Sequence, residues 1–420
     1  MVALTAHPSG PSMAVRVLVV GGDDHHLRIP FLLALRERGF HVAAAGTGNP
    51  APFLEKKIAY FPYSFDRFID PVADWRALKS LQAIISSFRP DIVQSFDTKP
   101  GILAPVAARR AGSAKVVRTI NGLGWVFSSR SPLALTLRPV FGALHRATAP
   151  MTALTVFQNR GDQAFFKRGG MMGRGRSELI PGSGVDVGRF DGALAAGPSA
   201  EKIRQSLGLG DSEVVITVSR LSRVKGIPTL LQAAALVAAK RPSVRFLLVG
   251  PHETVGRFAI DRADLDRCAP YVMAIGPRTD VPALLRLANV FALPTELYEG
   301  VPRALLEAGL AGVPIVTTAM PGCTDVVQDG WSGFVVPAGQ PSRLADRIID
   351  LLDDPPGARV MAERAQAVVR SEFSLDITVD RYAGAYARLL KRTGEPTPEH
   401  RRTGENRKDL RSWSRQASGS

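Results

Sequence analysis

The sequence predicts an α/β protein built from two doubly wound, parallel-sheet domains that face each other across a cleft. Short β-branched runs alternate with helical patterns along most of the chain, which is the rhythm of successive βαβ units. That rhythm breaks once, in a glycine-rich stretch near the middle, and 420 residues exceed what one ordinary core holds. The expected layout is a flexible leader over 1–13, a first domain over 14–185 and a second over 186–372. A helix over 373–391 is expected to pack back on the first domain, ahead of a disordered basic tail over 392–420.

The elements follow in order. A strand over 15–21 stops at Gly21-Gly22; a helix over 27–38 and a strand from Gly39 complete the opening unit. A helix over 74–88, a strand over 90–94, a helix from Lys99 to Arg110 and a strand over 115–120 continue it. The strand over 153–158 reads as the last before the boundary. A mobile loop is then expected over 169–175, with the interdomain linker over about 182–195, where apolar content drops. The second half has strands over 214–218, 245–249, 272–275, 290–293, 315–318 and 333–336. Helices are expected over 228–240, 281–287, 322–328, 344–352 and 358–373. The last helix, over 375–390, carries Tyr382, Tyr386 and Leu389.

Net charge is +15, and it is uneven. Residues 1–190 hold 24 Lys/Arg against 12 Asp/Glu, and 391–420 hold 8 against 4. The first domain therefore expects an anionic partner, a phosphorylated substrate or an acidic membrane surface. Nucleic acid is not expected, because no zinc-finger, RRM or basic-heptad pattern accompanies the charge. The stretch 131–146 sharpens the membrane expectation: Leu133, Leu135, Leu137, Val140, Phe141 and Leu144 alternate with Arg138, His145 and Arg146 after Arg130. A helix packed on the sheet with a solvated basic face is the alternative. Two cysteines, Cys268 and Cys323, supply neither a disulfide framework nor a four-ligand zinc site, and imply a reducing compartment.

The chemistry concentrates over 294–316, where Glu299 precedes a helix and Glu307 lies within it. Both carboxylates can face a cleft at the carboxyl edge of a parallel sheet, where open α/β sheets bind ligands. Arg220 and Lys225 occupy the loop after the 214–218 strand. Gly300 and Val301 stand at a helix entrance, where unpaired amides meet anions. Asp23-Asp24-His25-His26 is not expected to hold a metal, since neighbouring histidines on one turn rarely face the same ion. Cys323 reads as a small helix-start residue and not as a nucleophile.

These motifs in order resemble the GT-B glycosyltransferases of family 4, retaining enzymes that use nucleotide sugars to build bacterial polysaccharides and lipid-linked glycans. They are the Gly21-Gly22 turn, Gly182-Ser-Gly-Val-Asp186, Ser219-Arg-Leu-Ser-Arg-Val-Lys-Gly226, Glu299 with Glu307, and Gly322-Cys-Thr-Asp-Val-Val-Gln-Asp-Gly330 before Gly333-Phe-Val-Val-Pro337. The resemblance covers 15–390 and implies a retaining, metal-independent hexosyltransferase with no cofactor beyond its nucleotide-sugar co-substrate, UDP-linked in the first instance. It implies that Arg220 and Lys225 grip the diphosphate, Glu307 accepts from the ribose hydroxyls, and Glu299 attends the transferred sugar. Gly22, Gly300 and Val301 would approach the donor, Arg278 would flank the base, and Asn121 and His25, or its neighbour His26 on a turn facing the cleft, would lie near the acceptor or sugar. Asn121 stands where many members carry a histidine; it can hydrogen-bond a sugar hydroxyl but cannot take a proton, so no mechanism with a basic imidazole there is expected. The acceptor is expected to be a lipid-linked saccharide or polysaccharide, met at the inner face of the cytoplasmic membrane. A UDP-sugar 2-epimerase of the same fold and an inactive assembly scaffold are the alternatives.

Overall fold

The computed structural model describes residues 14–65, 70–112, 114–128, 131–172, 175–296 and 298–391. The expected leader and tail, together with Arg130, Gly173 and Arg174, lie outside the described residues. Within the described residues, two all-parallel sheets are covered by helices, as the βαβ rhythm requires.

The first sheet contains β1 (Arg16–Val20), β2 (His41–Gly46), β3 (Ala59–Pro62), β4 (Ile92–Ser95), β5 (Lys115–Ile120), β6 (Leu154–Phe157) and β7 (Ser177–Leu179), in the order β3-β2-β1-β4-β5-β6-β7. Its centre is fixed by Leu18, which pairs with Ala43 on one side and Val93 on the other. The second sheet contains β8 (Val214–Val218), β9 (Arg245–Val249), β10 (Val272–Gly276), β11 (Val290–Leu293), β12 (Ile315–Thr318) and β13 (Phe334–Val336), in the order β10-β9-β8-β11-β12-β13. Both orders reverse once, between β1 and β4 and between β8 and β11. These two reversals are the switch points where a crevice opens at the strands' carboxyl ends.

The structure departs from the sequence-based reading in several places. β3 and β7 are strands that it lacked, because each is short, partly exposed and without strong alternation. The linker expected over 182–195 is largely a helix, Val187–Ala196, capped by the Asp186 carboxylate on the Arg189 amide and anchored by buried Phe190. The helix expected over 322–328 is a series of turns, because Asp325 accepts the Gly322 amide and Gly322 has φ of +85°. Met171 and Met172, expected in a mobile loop, are buried with Phe157 and Phe166.

The C-terminal helix Leu375–Leu390 leaves the second domain and completes the core of the first. Tyr382 and Tyr386 are fully buried there, and their hydroxyls enter one polar chain. Tyr386 donates to Gln94 Oε1 (2.8 Å), Gln94 donates to Thr119 Oγ1 (2.9 Å), and the Thr119 and Tyr382 hydroxyls share a 2.9 Å hydrogen bond. Arg38 adds ion pairs to Asp376 and Asp380. A helix so satisfied ties the second domain to the core of the first.

Candidate active site

Each switch point is bridged by a polar contact, and the two bridges face each other. In the second domain the β8 loop carries Lys225 and the β11 loop carries Glu299. The ammonium reaches both carboxylate oxygens at 2.7 Å, and the Thr295 hydroxyl donates to Glu299 Oε1 at 3.3 Å. The side chains are only 13% and 22% exposed, so this pair is less screened than a surface ion pair. Gly226 makes the approach possible: it has φ of +72°, and a Cβ there would lie 1.8 Å from the Pro294 carbonyl oxygen. The sequence-based reading assigned Lys225 and Glu299 separate duties; in the structure they neutralise each other.

In the first domain Asp97, after β4, accepts the Gly22 amide (3.2 Å) and the Asn121 side-chain amide (2.9 Å). Asp97 has φ of +71°, a conformation that costs a non-glycine residue roughly 1–3 kcal/mol and clusters at functional sites. Gly21 leaves space for an internal group: a Cβ would lie 2.1 Å from the His25 ring. His25 itself is 2% exposed and stacks on Phe53 at 5.4 Å. Of the two histidines expected toward the acceptor, His25 is corrected: apolar packing against Phe53 draws its ring inward, while His26, the alternative, is exposed.

The domains touch where Asn121-Gly122 meets Glu299-Gly300. A Cβ on Gly300 would lie 2.4 Å from Gln158 Oε1 and 2.6 Å from the Asn121 carbonyl, and one on Gly122 would lie 2.9 Å from Glu299 Cα. Beside this contact, Asp325 of the second domain accepts the Arg160 amide (3.4 Å), the first of the helix Arg160–Arg168 in the other domain. A carboxylate there complements the helix N-terminus. Gln158, Asn159, Asp97 and Asp325 were missed as site residues, and only their positions just beyond strand ends or turns could have found them.

The helix Arg303–Ala311, entered after Gly300 and Val301, has no side-chain N-cap, so its first amides are not consumed by a capping residue. Glu307 on that helix is 19% exposed and takes Arg303 Nε at 2.9 Å. Arg220 is half exposed and 3.4 Å from Glu253. Arg278, beyond β10, is gripped by Asp280 through two bonds of 2.8 and 2.6 Å, a partner the sequence-based reading did not foresee. Cys323 is fully buried, and burial pushes its thiol up to about 12, which leaves no thiolate to act as a nucleophile.

Three buried groups give the protein a distinctive acid response. Burial, then Arg28, lowers His25 to about 3; burial, then Arg118, lowers His145 to about 3. Burial raises Asp162 to about 7 against the Asn159 hydrogen bond that opposes it. Between about pH 4 and 6.5 the unfolded chain carries the two histidine protons that the fold refuses, while the fold carries the Asp162 proton that the unfolded chain lacks. The net single proton makes stability fall by about 1.4 kcal/mol per pH unit as pH drops through that window. Asp162→Asn removes the offset, so the slope is expected to double to about 2.8 kcal/mol per unit, measured by urea unfolding from pH 7 to 4.5.

Comparison with known proteins agrees with this architecture. Residues 199–368 match the family model for glycosyl transferases group 1, and residues 16–153 match that for glycosyl transferase 4-like proteins. The chain is 33% identical over 279 residues to a GDP-mannose-dependent alpha-(1-6)-phosphatidylinositol monomannoside mannosyltransferase of Mycolicibacterium smegmatis, covering 62% of this chain and 68% of that one. It is 27% identical over 348 residues to the UDP-Gal:alpha-D-GlcNAc-diphosphoundecaprenol alpha-1,3-galactosyltransferase of Escherichia coli, covering 82% and 87%. In fold it resembles Anabaena Alr3699/HepE, solved in complex with UDP, with a TM-score of 0.70 at 19% identity, covering 89% of this chain and 100% of that one.

Proposed function

The chain belongs to the GT-B glycosyltransferases of the family 4 type, and from that membership we propose that it moves a sugar from a UDP-sugar to a lipid-linked saccharide with retention of configuration. The observation that carries the reading is the Lys225–Glu299 pair across the β8/β11 switch point, pressed against Asn121-Gly122 of the facing domain. When a sugar nucleotide cleaves, negative charge builds on the β-phosphate, and cations fixed in a site that excludes water stabilise it. Lys225 and Arg220 are those cations in this reading. The incoming diphosphate draws Lys225 away from Glu299, whose freed carboxylate then accepts from the hydroxyls of the transferred sugar. Glu307 offers two acceptor oxygens to the ribose diol, and the amides of Gly300 and Val301, just ahead of the helix Arg303–Ala311, meet the donor.

The acceptor hydroxyl attacks the anomeric carbon from the face the phosphate leaves. Its proton passes to the departing phosphate oxygen as the carbon–oxygen bond to that phosphate breaks. No protein nucleophile, imidazole or metal is required, which accommodates Asn121. Its amide is held by Asp97 and can only donate to or accept from a sugar hydroxyl.

Peripheral attachment to the cytoplasmic face of a membrane is part of the proposal. No helix among the described residues is long and apolar enough to cross a membrane. The helix Pro132–Thr148 instead presents Leu133, Leu135, Val140 and Leu144 to the outside, at 61%, 47%, 49% and 40% exposure. The basic face expected there is altered: His145 is buried, Arg138 donates to the Val126 and Phe127 carbonyls, and Arg146 donates to that of Gly169. The outward leucines are thus the feature that supports a bilayer contact.

The test is a thermal-shift panel of UDP-, GDP- and ADP-sugars followed by NMR of the anomeric proton of the product. A UDP-sugar at a hundred times its Kd is expected to stabilise the fold by about 2.7 kcal/mol, and the product to keep the donor's configuration. An inverted product, or epimerised UDP-sugar formed without acceptor, overturns the assignment.

A further inference from the structure

A cavity of about 350 Å³ opens beside the Glu299–Gly122 contact, between the domains. From the first domain it is walled by Leu123, Phe127, Phe165, Arg138 and Arg168; Tyr298, the neighbour of Glu299, closes it from the second. Among the described residues its lining holds two guanidinium groups and no carboxylate, in a volume suited to a small ligand. Arg138 is oriented by its bonds to the Val126 and Phe127 carbonyls. Arg168 ends the helix Arg160–Arg168, is exposed, and makes no ion pair with a carboxylate among the described residues. Phe127 and Phe165 meet edge to face at 5.3 Å and form a rigid aromatic wall.

We infer that this cavity seats the phosphate-bearing end of a lipid acceptor, with the phosphate between Arg138 and Arg168 and the adjoining sugar against Phe127, Phe165 and Tyr298. The inference rests on the glycosyltransferase reading and deepens it by naming the acceptor's chemistry and the residues that select it. Three properties converge on a phosphorylated amphiphile. Guanidinium forks suit phosphate oxygens, aromatic faces suit the apolar side of a sugar ring or an isoprenyl unit, and Arg138 lies on the same helix as the outward leucines. The placement is also productive, because Tyr298 and Leu123 adjoin Glu299 and Gly122, so a hydroxyl beyond the phosphate is presented toward the donor side. Both enzyme relatives described above are named for acceptors with a phosphate next to lipid, a diphosphoundecaprenol and a phosphatidylinositol.

The experiment measures binding to the full chain saturated with UDP, so that the donor site is already occupied. The probes are farnesyl diphosphate, dihexanoyl phosphatidylinositol, farnesol and inorganic pyrophosphate, titrated against wild type, Arg168→Ala and Phe165→Leu. Farnesyl diphosphate or the phosphatidylinositol is expected to bind, with farnesol and pyrophosphate at least tenfold weaker. Whichever lipid phosphate binds more tightly identifies the class of anchor. Arg168→Ala is expected to weaken the phosphorylated probe about tenfold and to leave farnesol unchanged; Phe165→Leu weakens both lipids. The cooperative unfolding temperature of each variant reports whether it folds. The inference is overturned if neither lipid phosphate binds the UDP-saturated protein, or if Arg168→Ala weakens farnesol as much as farnesyl diphosphate. Failure of UDP itself to bind would instead strike the glycosyltransferase reading, so the two failures are distinguishable.

Discussion

Replacing Lys225 with alanine is expected to lower the transfer rate by about 10²–10³-fold, the scale of removing one fixed stabiliser of transition-state charge. The substitution acts twice. It removes the cation that meets the departing diphosphate, and it leaves Glu299, 22% exposed, facing an anionic ligand without its counter-ion. The second effect makes the variant worse than the loss of one contact, because an unpaired carboxylate beside a phosphate repels it. Lys225→Ala combined with Glu299→Gln is therefore expected to bind nucleotide more tightly than Lys225→Ala alone, while remaining slow. Steady-state rates and nucleotide titrations of the three proteins check this. If the double variant binds no better than the single one, Glu299 does not face the diphosphate and the pair is a structural brace.

The second large effect is expected at Gly300, through space and not through conformational freedom. A methyl group there must displace the Asn121 carbonyl, which would lie 2.6 Å away, and Gln158 Oε1 at 2.4 Å. Both belong to the facing domain, so Gly300→Ala opens the seam on which Glu299 is set against the Asn121 loop. A displacement of about 1 Å at such a seam costs on the order of 10²-fold in rate when reacting groups must align. Alanine keeps the Gly300 amide, and in the proposed reading most donor contacts come from the second domain, so donor affinity is expected to fall far less than the rate, staying within about threefold of wild type. A variant that loses donor affinity and rate together would mean that the turn itself had collapsed.

Much of this arrangement was legible from residues alone. The run of β-branched segments gave both sheets, because strands buried on both faces are nearly continuous apolar runs. Tyr382 and Tyr386 in the last helix marked a face that had to be buried. The marginal strands β3 and β7 were hidden because neither has a continuous apolar run to mark it. Around the site, Arg220, Lys225 and Glu299 on loops and Glu307 on a helix were singled out by residue type, spacing and family resemblance, but the Lys225–Glu299 pair was not. It depends on β8 lying next to β11, a long-range pairing that local sequence does not encode. The same holds for Asp97, whose role comes from the adjacency of β1 and β4. His25 was misplaced for a related reason: whether a polar ring after a glycine turn points outward depends on Phe53, far along the chain.

The buried Arg118 was equally invisible. It is surrounded by neutral groups: Thr155 Oγ1 at 3.0 Å, Thr148 Oγ1 at 3.3 Å, the Met171 carbonyl at 3.2 Å, and His145 Nδ1 and carbonyl oxygen at 3.5 Å. Burial lowers it only to about 10, so it stays charged and adds to the burial that keeps His145 neutral. One residue in the middle of β5 thereby fixes the helix that bears the outward leucines, an example of a core polar network that positions a surface.

The central claim is that the second domain holds a nucleotide diphosphate at the Lys225–Glu299 pair while the first domain closes on it through Gly300. Calorimetric titration of UDP into wild type, Lys225→Ala and Gly300→Ala tests it most directly. The account predicts that Gly300→Ala binds within about threefold of wild type, and that Lys225→Ala binds at least tenfold more weakly. Equal affinity for all three proteins would contradict it.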